Sequence, residues 1–306
     1  YGIELGVLYR GERELCFLPL AHAYSCAFNF LVPMAVGAHV YLLGKVPSPK
    51  ILLKAFEEVK PNLILTVPLI LEKIYKKMIL PQLSKTTMKV ALNIPLLDSR
   101  IYAQIRKKLV DAFGGRFREV IVGGAAMNEE VTNFLYKIKF PFTIGYGMTE
   151  CGPLISYDHN DEYVPGSCGQ ILKGIMKVRI DSEDPYNKVG EIQVSGENVM
   201  KGYYKNEEAT SKVFTEDGWL RTGDLGTIDA DNRIYIRGRS KTMILGASGQ
   251  NIYPEEIESK LNNLPFVMES IIIEKNGKLV GLVYPDYDTV DSTGISHEDL
   301  PIIMEQ

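Results

Sequence analysis

The feature that most limits the fold of this chain is the alternation of helix and strand patterns through its first half. Short apolar runs bounded by proline, glycine or polar residues indicate strands at 14–20, 39–43, 62–67, 119–122 and 142–144. Stretches with apolar residues at helical spacing separate several of these strands, at 51–59, 69–78, 100–113 and 129–138. Because strands that alternate with helices form parallel sheets, we predict that residues 1–155 are α/β, with a mostly parallel sheet flanked by helices.

A second feature is the stretch from Leu15 to Gly44, which contains no Asp, Glu, Lys or Arg and is long enough to span a bilayer. It also contains two prolines, two histidines and an asparagine. A spanning helix would leave several of these polar groups in lipid. We therefore predict a buried strand, a short core helix near 27–32 and a second strand, and no transmembrane segment.

Composition excludes several classes of protein. The formal net charge of −4 argues against a nucleic-acid partner, and no Lys/Arg run with interleaved aromatic residues occurs. The cysteines show no Cys-x-x-Cys spacing, so we predict a reduced, cytoplasmic protein with buried free thiols and no zinc site. Walker, dinucleotide-binding, zinc-protease and hydrolase-elbow motifs are absent from the sequence.

The segment Thr143-Ile-Gly-Tyr-Gly-Met-Thr-Glu-Cys-Gly-Pro153 has three glycines within eight residues, which favours a loop whose backbone can approach a ligand. Tyr146 offers a ring for a base, Thr149 a donor for a phosphate oxygen, and Glu150 a carboxylate for Mg²⁺. The alternative is a glycine-rich turn with Tyr146 in the core and Glu150 in water.

A second glycine motif, Gly123-Gly124-Ala125-Ala126, also follows a predicted strand. In open parallel sheets the carboxyl ends of the strands form the edge where ligands bind. The positions of the two motifs therefore predict a shared ligand site more strongly than either motif does alone.

After Gly152 the pattern changes to short strands and turns rich in Gly, Asp and Asn, which indicates a β-rich, barrel-like or sandwich-like subdomain. From Arg239 a strand, a helix at 254–262 and two further strands indicate the start of a small α+β domain. In this second half, Asp224 after a Thr-Gly turn suits two ribose hydroxyls, or is a turn residue. Arg239 suits a ribose or phosphate, or lies in a solvated basic turn. His22 stands alone in an apolar run, for which a hydrogen-bonded core histidine is the default.

Taken together, these segments resemble the adenylate-forming acyl-CoA synthetase (AMP-binding) family, and within it a long-chain fatty-acid–CoA ligase. The resemblance extends from about residue 14 to residue 285. The matching motifs, which occur in the family's order, are Leu18-Pro-Leu-Ala-His22, Gly123-Gly-Ala125, Tyr146-Gly-Met-Thr-Glu150, Gly190-Glu-Ile-Gln-Val-Ser-Gly196, Lys201-Gly-Tyr203, Thr222-Gly-Asp224, Gly238-Arg-Ser-Lys241 and Gly249-Gln-Asn-Ile-Tyr-Pro-Glu-Glu-Ile-Glu258.

The resemblance implies a nucleotide site in which Tyr146 stacks on adenine, Thr149 contacts the α-phosphate and Glu150 holds Mg²⁺. Asp224 and Arg239 would contact the ribose. The remaining nucleotide-binding residues that it implies are Gly123, Gly124, Ala125 and Gly147.

Three further roles are implied by the resemblance alone. His22 would gate the acyl pocket and count with Thr149 and Glu150 among the catalytic residues. Lys241 would lie at the hinge of the small domain, although Thr242 stands where the family often has an acid. Gly249 would lie on the loop that approaches the pantetheine tunnel of CoA.

The implied chemistry is attack of a carboxylate on the α-phosphorus of ATP, which gives acyl-AMP, followed by transfer of the acyl group to CoA. ATP or AMP, Mg²⁺ and CoA are the implied cofactors and co-substrates, and the acid is expected to be a fatty acid. The alternatives are an aryl- or amino-acid-activating enzyme that loads a carrier protein, or a non-catalytic nucleotide-binding module. We expect no nucleic-acid partner, and peripheral association with a membrane stays open.

The resemblance also implies a domain organisation. Residues 1–238 would be part of the large N-terminal AMP-binding domain, with an α/β part at 1–155 and a β-rich subdomain at 156–238. Residues 239–306 would begin the small C-terminal α+β domain. Since the family's phosphate loop and C-terminal catalytic lysine are not in the sequence, we expect an inactive or weakly active fragment that binds AMP weakly and uses ATP less well.

Overall fold

The computed structural model describes residues 5–83, 85–94, 97–246 and 250–304. The chain divides into two compact units. Unit 1 comprises Tyr1–Arg179, Gln193–Leu220 and Ile228–Tyr235, and unit 2 comprises Ile180–Ile192, Arg221–Thr227 and Ile236–Gln306.

The strands are β1 Arg13–Cys16, β2 His39–Leu42, β3 Leu63–Thr66, β4 Glu119–Val122, β5 Phe142–Ile144, β6 Tyr146–Gly147, β7 Leu154–Ser156, β8 Met176–Asp181, β9 Gly190–Gly196, β10 Leu220–Ile228, β11 Ile234–Arg239, β12 Ile244–Leu245, β13 Asn251–Ile252, β14 Val267–Lys275 and β15 Lys278–Pro285. The α-helices are α1 Ala23–Ser25, α2 Val32–Val36, α3 Pro49–Val59, α4 Pro68–Ile74, α5 Leu80–Leu83, α6 Thr86–Ala91, α7 Leu97–Ala112, α8 Glu129–Lys137, α9 Glu207–Val213, α10 Pro254–Leu261, α11 Tyr287–Thr293 and α12 Leu300–Met304. Two π-helical segments, Cys26–Leu31 and Tyr75–Ile79, and a 3₁₀ turn, Thr149–Cys151, complete the set.

The main sheet of unit 1 has the order β2-β1-β3-β4-β5, and the pairs β1–β2, β1–β3, β3–β4 and β4–β5 are parallel. The predicted fold class, an α/β protein with a largely parallel sheet flanked by helices, is confirmed. Along the uncharged stretch the predicted order of strand, helix and strand is also confirmed, by β1, the helical segments from α1 to α2, and β2. No helix among the described residues is both long and apolar enough to cross a membrane.

The core of unit 1 forms where the helices cover this sheet. Strands β3 and β4 are buried along their whole length, as expected for central parallel strands. Helix α3 buries Leu52 and Phe56, and the Phe56 ring lies 5.1 Å from that of Phe113, just after α7. The largest fully buried side chains are Phe56, Phe113, Phe142, Leu52, Leu63, Ile64, Leu65, Leu71, Ile74, Leu109, Leu135 and Ile155. Burial of each large side chain stabilises the unit by about 1.5–3 kcal/mol.

Helix ends follow the sequence signals. The Ser48 hydroxyl accepts from the amide of Ile51 at the start of α3, and the helix ends at Lys60, before Pro61. The prediction that Asn128 caps α8 is confirmed, because its Oδ1 accepts from the amides of Glu130 and Val131. The π-helical turn at Cys26–Leu31 was not predicted. It precedes Pro33, which has no amide hydrogen to continue a regular ladder.

The second half contains the predicted β-rich region. Strands β8 to β11 form a sheet in the order β11-β10-β9-β8, and β14 pairs antiparallel with β15. Residues 166–174, within the stretch predicted as short strands or turns, form isolated antiparallel bridges, and Gly166, Gly169 and Gly174 adopt positive φ. Helix α9 was not predicted. None of its residues is buried, and it begins with an Asn206 cap on the amide of Ala209.

Candidate functional site

The loops after β4 and β5 leave the same edge of the main sheet as neighbours. The amide of Gly123 donates to the carbonyl of Thr66 at 3.1 Å, and the amide of Gly145 donates to that of Val122 at 3.0 Å. The hydrogen-bond ladder therefore continues past both strand ends. Gly124 and Ala125, which follow, are exposed to solvent. The two glycine motifs thus lie together at the carboxyl edge, as their positions in the sequence predicted.

Two glycines in these loops are required, one by a close contact and the other by its backbone conformation. A Cβ on Gly147 would lie 1.9 Å from the carbonyl oxygen of Pro153, so no side chain fits there. Gly124 has a φ of +90°, in the left-handed region that favours glycine. The ring of Tyr24 covers Gly123, where a Cβ would lie 3.3 Å from Cζ. The glycines therefore keep the backbone of both loops compact.

Tyr146 is only 7% exposed, so most of its ring packs within unit 1. It forms β6 with Gly147, and β6 pairs antiparallel with β7. The predicted stacking of a base on Tyr146 would thus have to use the small part of the ring that remains accessible.

Thr149 and Glu150 lie on the 3₁₀ turn Thr149–Cys151, in which Thr149 is exposed and Glu150 half-buried. Cys151 is fully buried beneath the turn, and burial raises the pKa of its thiol to about 12. Of the predicted buried thiols, Cys16 and Cys151 are buried, whereas Cys26 and Cys168 are partly exposed; all are free. The buried cysteine anchors the turn, while its polar neighbours face outward.

Residues 198–203, which lie between β9 and α9, hold this turn in place through hydrogen bonds. The Tyr203 hydroxyl donates to Glu150 Oε1 at 2.8 Å, and the amide of Met200 donates to the Glu150 carbonyl at 2.7 Å. Asn198 Nδ2 donates to the carbonyls of Cys151 and Leu154 at 2.7 and 2.8 Å. Sequence reasoning used Lys201-Gly-Tyr203 only as a family motif and assigned no role to Tyr203. The contact joins residues 53 positions apart, so no local signal could have found it.

The donor groups at the turn fit a magnesium ion but not a dedicated metal cage. No cluster of three or more His, Cys, Asp or Glu side chains suited to a metal occurs in the described part of the chain. Mg²⁺ is commonly held by one or two carboxylates together with waters and substrate phosphates. Glu150 alone matches that pattern, since one carboxylate oxygen is oriented by Tyr203.

His22 is exposed, and its Nδ1 accepts from the amide of Tyr24 at 3.3 Å, which caps α1. The default interpretation as a core histidine is wrong, because the chain turns at Pro19–Ala21 and brings His22 to the surface before α1 begins. Below it, the Ser25 hydroxyl contacts Asn29 Oδ1 at 3.0 Å, and Asn29 Nδ2 donates to Glu14 Oε1 at 2.6 Å. Glu14 is completely buried, and burial raises its pKa to about 8.

In unit 2 the structure brings Asp224 and Arg239 together. Arg239 Nε donates to Asp224 Oδ1 at 3.0 Å, and the Asp224 side chain is buried whereas that of Arg239 is 69% exposed. The predicted Thr-Gly turn is wrong: Thr222, Gly223 and Asp224 lie inside the continuous strand β10. Gly223 provides the local kink, with a φ of +74°.

Residues after β11 in unit 2 include the predicted hinge. Lys241 is exposed, on the turn that follows Arg239. Thr242, which stands where an acid was expected, donates through its hydroxyl to Glu255 Oε1 at 2.7 Å. Gly249, predicted to lie near CoA, falls outside the described residues.

Comparisons with known proteins agree with the motifs. A family model described as AMP-binding enzyme matches residues 3–204. Long-chain-fatty-acid–CoA ligase 1 of Saccharomyces cerevisiae is 28% identical over 90% of this chain and 43% of its own length. 4-Coumarate–CoA ligase CCL1 of Humulus lupulus is 31% identical over 95% of this chain and 50% of its own length. O-Succinylbenzoate coenzyme A synthetase (MenE) of Bacillus subtilis, solved with ATP and magnesium ion, matches at 25% identity with a TM-score of 0.70, over 93% of this chain and 54% of that chain. The chain therefore spans about half the length of the relatives that it matches.

Proposed function

Because this chain belongs to the AMP-binding enzyme family, we propose that it contributes nucleotide-site residues to an ATP-dependent acid–thiol ligase, which activates a carboxylic acid as acyl-AMP and passes the acyl group to CoA. The observation that carries this proposal is the arrangement at the carboxyl edge of the main sheet. There, the Gly123-Gly124 loop lies beside the loop that holds Thr149 and Glu150. That edge is where parallel sheets of this kind bind their ligands.

In this proposal each group acts by binding and orientation. The Thr149 hydroxyl donates to an oxygen of the α-phosphate, and the exposed backbone at Gly124 and Ala125 gives the adenine and acyl groups close access. In unit 2, the carboxylate of Asp224 accepts from ribose hydroxyls, with Arg239 as its ion-pair partner. Fixing the carboxylate and the α-phosphorus in one geometry converts a bimolecular reaction into one within a complex, which lowers the barrier for such a displacement.

Glu150 is the residue that would hold Mg²⁺, and the bound ion would neutralise charge on the phosphate oxygens. His22, exposed at the start of α1, is placed by this proposal near the acyl pocket. Lys241 is its hinge residue and Gly249 its residue on the CoA side. The same proposal keeps 1–238 as the AMP-binding part and 239–306 as the start of the small domain.

The acid that we propose is a fatty acid. Support comes from the yeast relative, whose name states that substrate, and from the apolar stretch around His22. An aromatic acid is the second candidate, because the hop relative named for 4-coumarate has the higher identity, 31%, over 95% of this chain.

Calorimetric titration of this chain with AMP tests the nucleotide site. We expect saturable binding that Thr149→Val weakens, because the substitution removes the hydroxyl and keeps the branched shape. Ser211→Ala, which removes an exposed hydroxyl on α9, is the matched control and should leave the affinity unchanged. A chain that does not bind AMP would contradict the proposal.

The acid specificity requires the full-length parent. Fatty and aromatic acids supplied with ATP and CoA, with acyl-AMP and acyl-CoA followed by mass spectrometry, separate the two candidates. Release of pyrophosphate without acyl-CoA would favour a carrier protein as the acceptor, and no acid-dependent release would favour a non-catalytic nucleotide-binding module.

A further inference from the structure

The motif Lys201-Gly202-Tyr203 has no part in the function proposed above, yet its tyrosine touches the one carboxylate assigned to the metal ion. The Tyr203 hydroxyl donates to Glu150 Oε1 at 2.8 Å, and Oε2 accepts no hydrogen bond within the described residues. We propose that Tyr203 is a positioning residue, which orients the Glu150 carboxylate and leaves Oε2 for Mg²⁺. This inference rests on the proposed function, because it assumes that Glu150 binds the ion.

The backbone of Glu150 is already fixed, so the hydroxyl of Tyr203 acts on the side chain alone. Met200 donates to the Glu150 carbonyl, and Asn198 bridges the carbonyls of Cys151 and Leu154. A glutamate side chain on a fixed backbone still has three rotatable bonds, and its immobilisation costs conformational entropy. A hydrogen bond from Tyr203 selects one orientation before the ion binds and so reduces that cost at the moment of binding.

Tyr203 itself is held from behind by α9. Its amide donates to Thr210 Oγ1 at 2.9 Å, and that hydroxyl donates to the Asn206 carbonyl at 2.8 Å. Gly202 permits this approach, since it has a φ of +149° and a Cβ there would lie 2.8 Å from Thr210 Cγ2. Helix α9 thus holds the backbone of Tyr203, whose hydroxyl donates to the Glu150 carboxylate.

Partners that orient metal ligands usually change metal affinity by about 10–100-fold when they are removed. Tyr203 is 37% exposed, so water can replace part of its hydrogen bond, and we expect about tenfold. The affinity for nucleotide without metal should stay unchanged, because the hydroxyl contacts Glu150 rather than the ligand in this arrangement. A positioning role therefore predicts that loss of the Tyr203 hydroxyl changes the Mg²⁺ dependence of nucleotide binding and leaves nucleotide binding without metal unchanged.

The test is calorimetric titration of this chain with ATP at a series of Mg²⁺ concentrations. Tyr203→Phe should raise by about tenfold the Mg²⁺ concentration that gives half-maximal enhancement of ATP binding. It should leave the ATP affinity measured without metal unchanged. Tyr204→Phe is the matched control, because Tyr204 is the next residue, is 88% exposed, and should change neither quantity. Replacing Tyr203 with 4-aminophenylalanine, which keeps a donor at the same position, should restore the wild-type Mg²⁺ dependence.

The outcomes separate this inference from the proposed function. Wild-type protein that binds no nucleotide overturns both. Wild-type binding that Mg²⁺ does not enhance overturns the inference while leaving a nucleotide site. Mg²⁺ dependence that is the same in wild type and Tyr203→Phe overturns the inference alone. Thermal denaturation of each variant shows whether it is folded, and equal loss of metal-free and metal-dependent binding in Tyr203→Phe would indicate a merely structural role and contradict the inference.

Discussion

The buried carboxyl of Glu14 should make the stability of unit 1 fall as the pH rises. Glu14 is 0% exposed, Asn29 Nδ2 donates to Oε1 at 2.6 Å, and Oε2 has no hydrogen-bond partner among the residues that the structure describes. Burial raises the pKa of this carboxyl from 4.5 to about 8, although the hydrogen bond from Asn29 opposes the shift. The folded chain therefore keeps this proton through neutral pH, whereas the unfolded chain loses it.

The size of the effect follows from the two pKa values. Below pH 4.5 both states are protonated, and the contribution of Glu14 to stability is fully present. Above it, each pH unit lowers the free energy of unfolding by about 1.4 kcal/mol, until the folded state also ionises near pH 8. From 4.5 to 7 this is 2.5 units, or about 3 kcal/mol, and the full 3.5 units amount to about 5 kcal/mol.

Glu14→Gln isolates this contribution, because glutamine can still accept from Asn29 and stays neutral at every pH. Urea unfolding between pH 5 and 8 can be followed through Trp219, the single tryptophan, which lies in the same unit. Near pH 5 the variant and the wild type should differ little. By pH 7 the variant should be more stable by about 3 kcal/mol.

Glu12→Gln is the matched control for this experiment. Partial burial raises the pKa of Glu12, but the hydrogen bonds from Arg118 and the Tyr9 amide and the charge of Arg118 outweigh it, and the net shift is downward. Glu12 thus contributes stability that is present above pH 4.5 and is lost only in more acidic solution. Its substitution should give a stability difference that is constant from pH 5 to 8. A constant difference for Glu14→Gln over the same range would refute the reasoning.

Two further substitutions test the loops and the unit 2 pair. Gly147→Ala should destabilise unit 1 by about 1–3 kcal/mol in urea unfolding, because its Cβ would lie 1.9 Å from the Pro153 oxygen; unchanged stability would contradict the contact. Asp224→Asn should weaken AMP binding by about tenfold in calorimetry, as expected when hydrogen bonds to a charged acceptor are lost. Asp231→Asn, at an exposed turn, should not change the affinity, and equal loss in both would argue against a ribose contact.

Much of the fold was accessible from the sequence because its signals are local. Central parallel strands such as β4 carry a run of apolar residues, Val120–Val122, and caps such as Asn128 act within a few residues. The strands that precede the two glycine motifs were predicted from the same kind of local pattern. The wrong prediction of a turn at Thr222-Gly223 also has a physical cause. These residues have the composition of a turn, yet pairing with neighbouring strands keeps β10 continuous through them.

Contacts between residues that lie far apart in the sequence could not be predicted from local patterns. Tyr203, on the segment between β9 and α9, donates to Glu150 on the 3₁₀ turn. Asn29, on the π-helical segment Cys26–Leu31, donates to Glu14 on β1. Neither pair has a spacing that marks it. Helix α9 shows the same limit, since none of its residues is buried and its contacts include its cap and the Thr210 hydroxyl that accepts from the Tyr203 amide.

The two glutamates with such distant partners show how the partner and the solvent determine what a carboxyl can do. Glu14 is fully buried and accepts a hydrogen bond from the side-chain amide of Asn29, so it is retained as the neutral acid and reduces stability when it ionises. Glu150 is only half-buried and has a phenol donor on one oxygen, so the other oxygen can meet a cation that arrives with phosphates. An ion at Glu14 would first have to open the core, whereas at Glu150 it has only to replace water. Burial is therefore what separates Glu150, which a cation can reach, from Glu14, which it cannot.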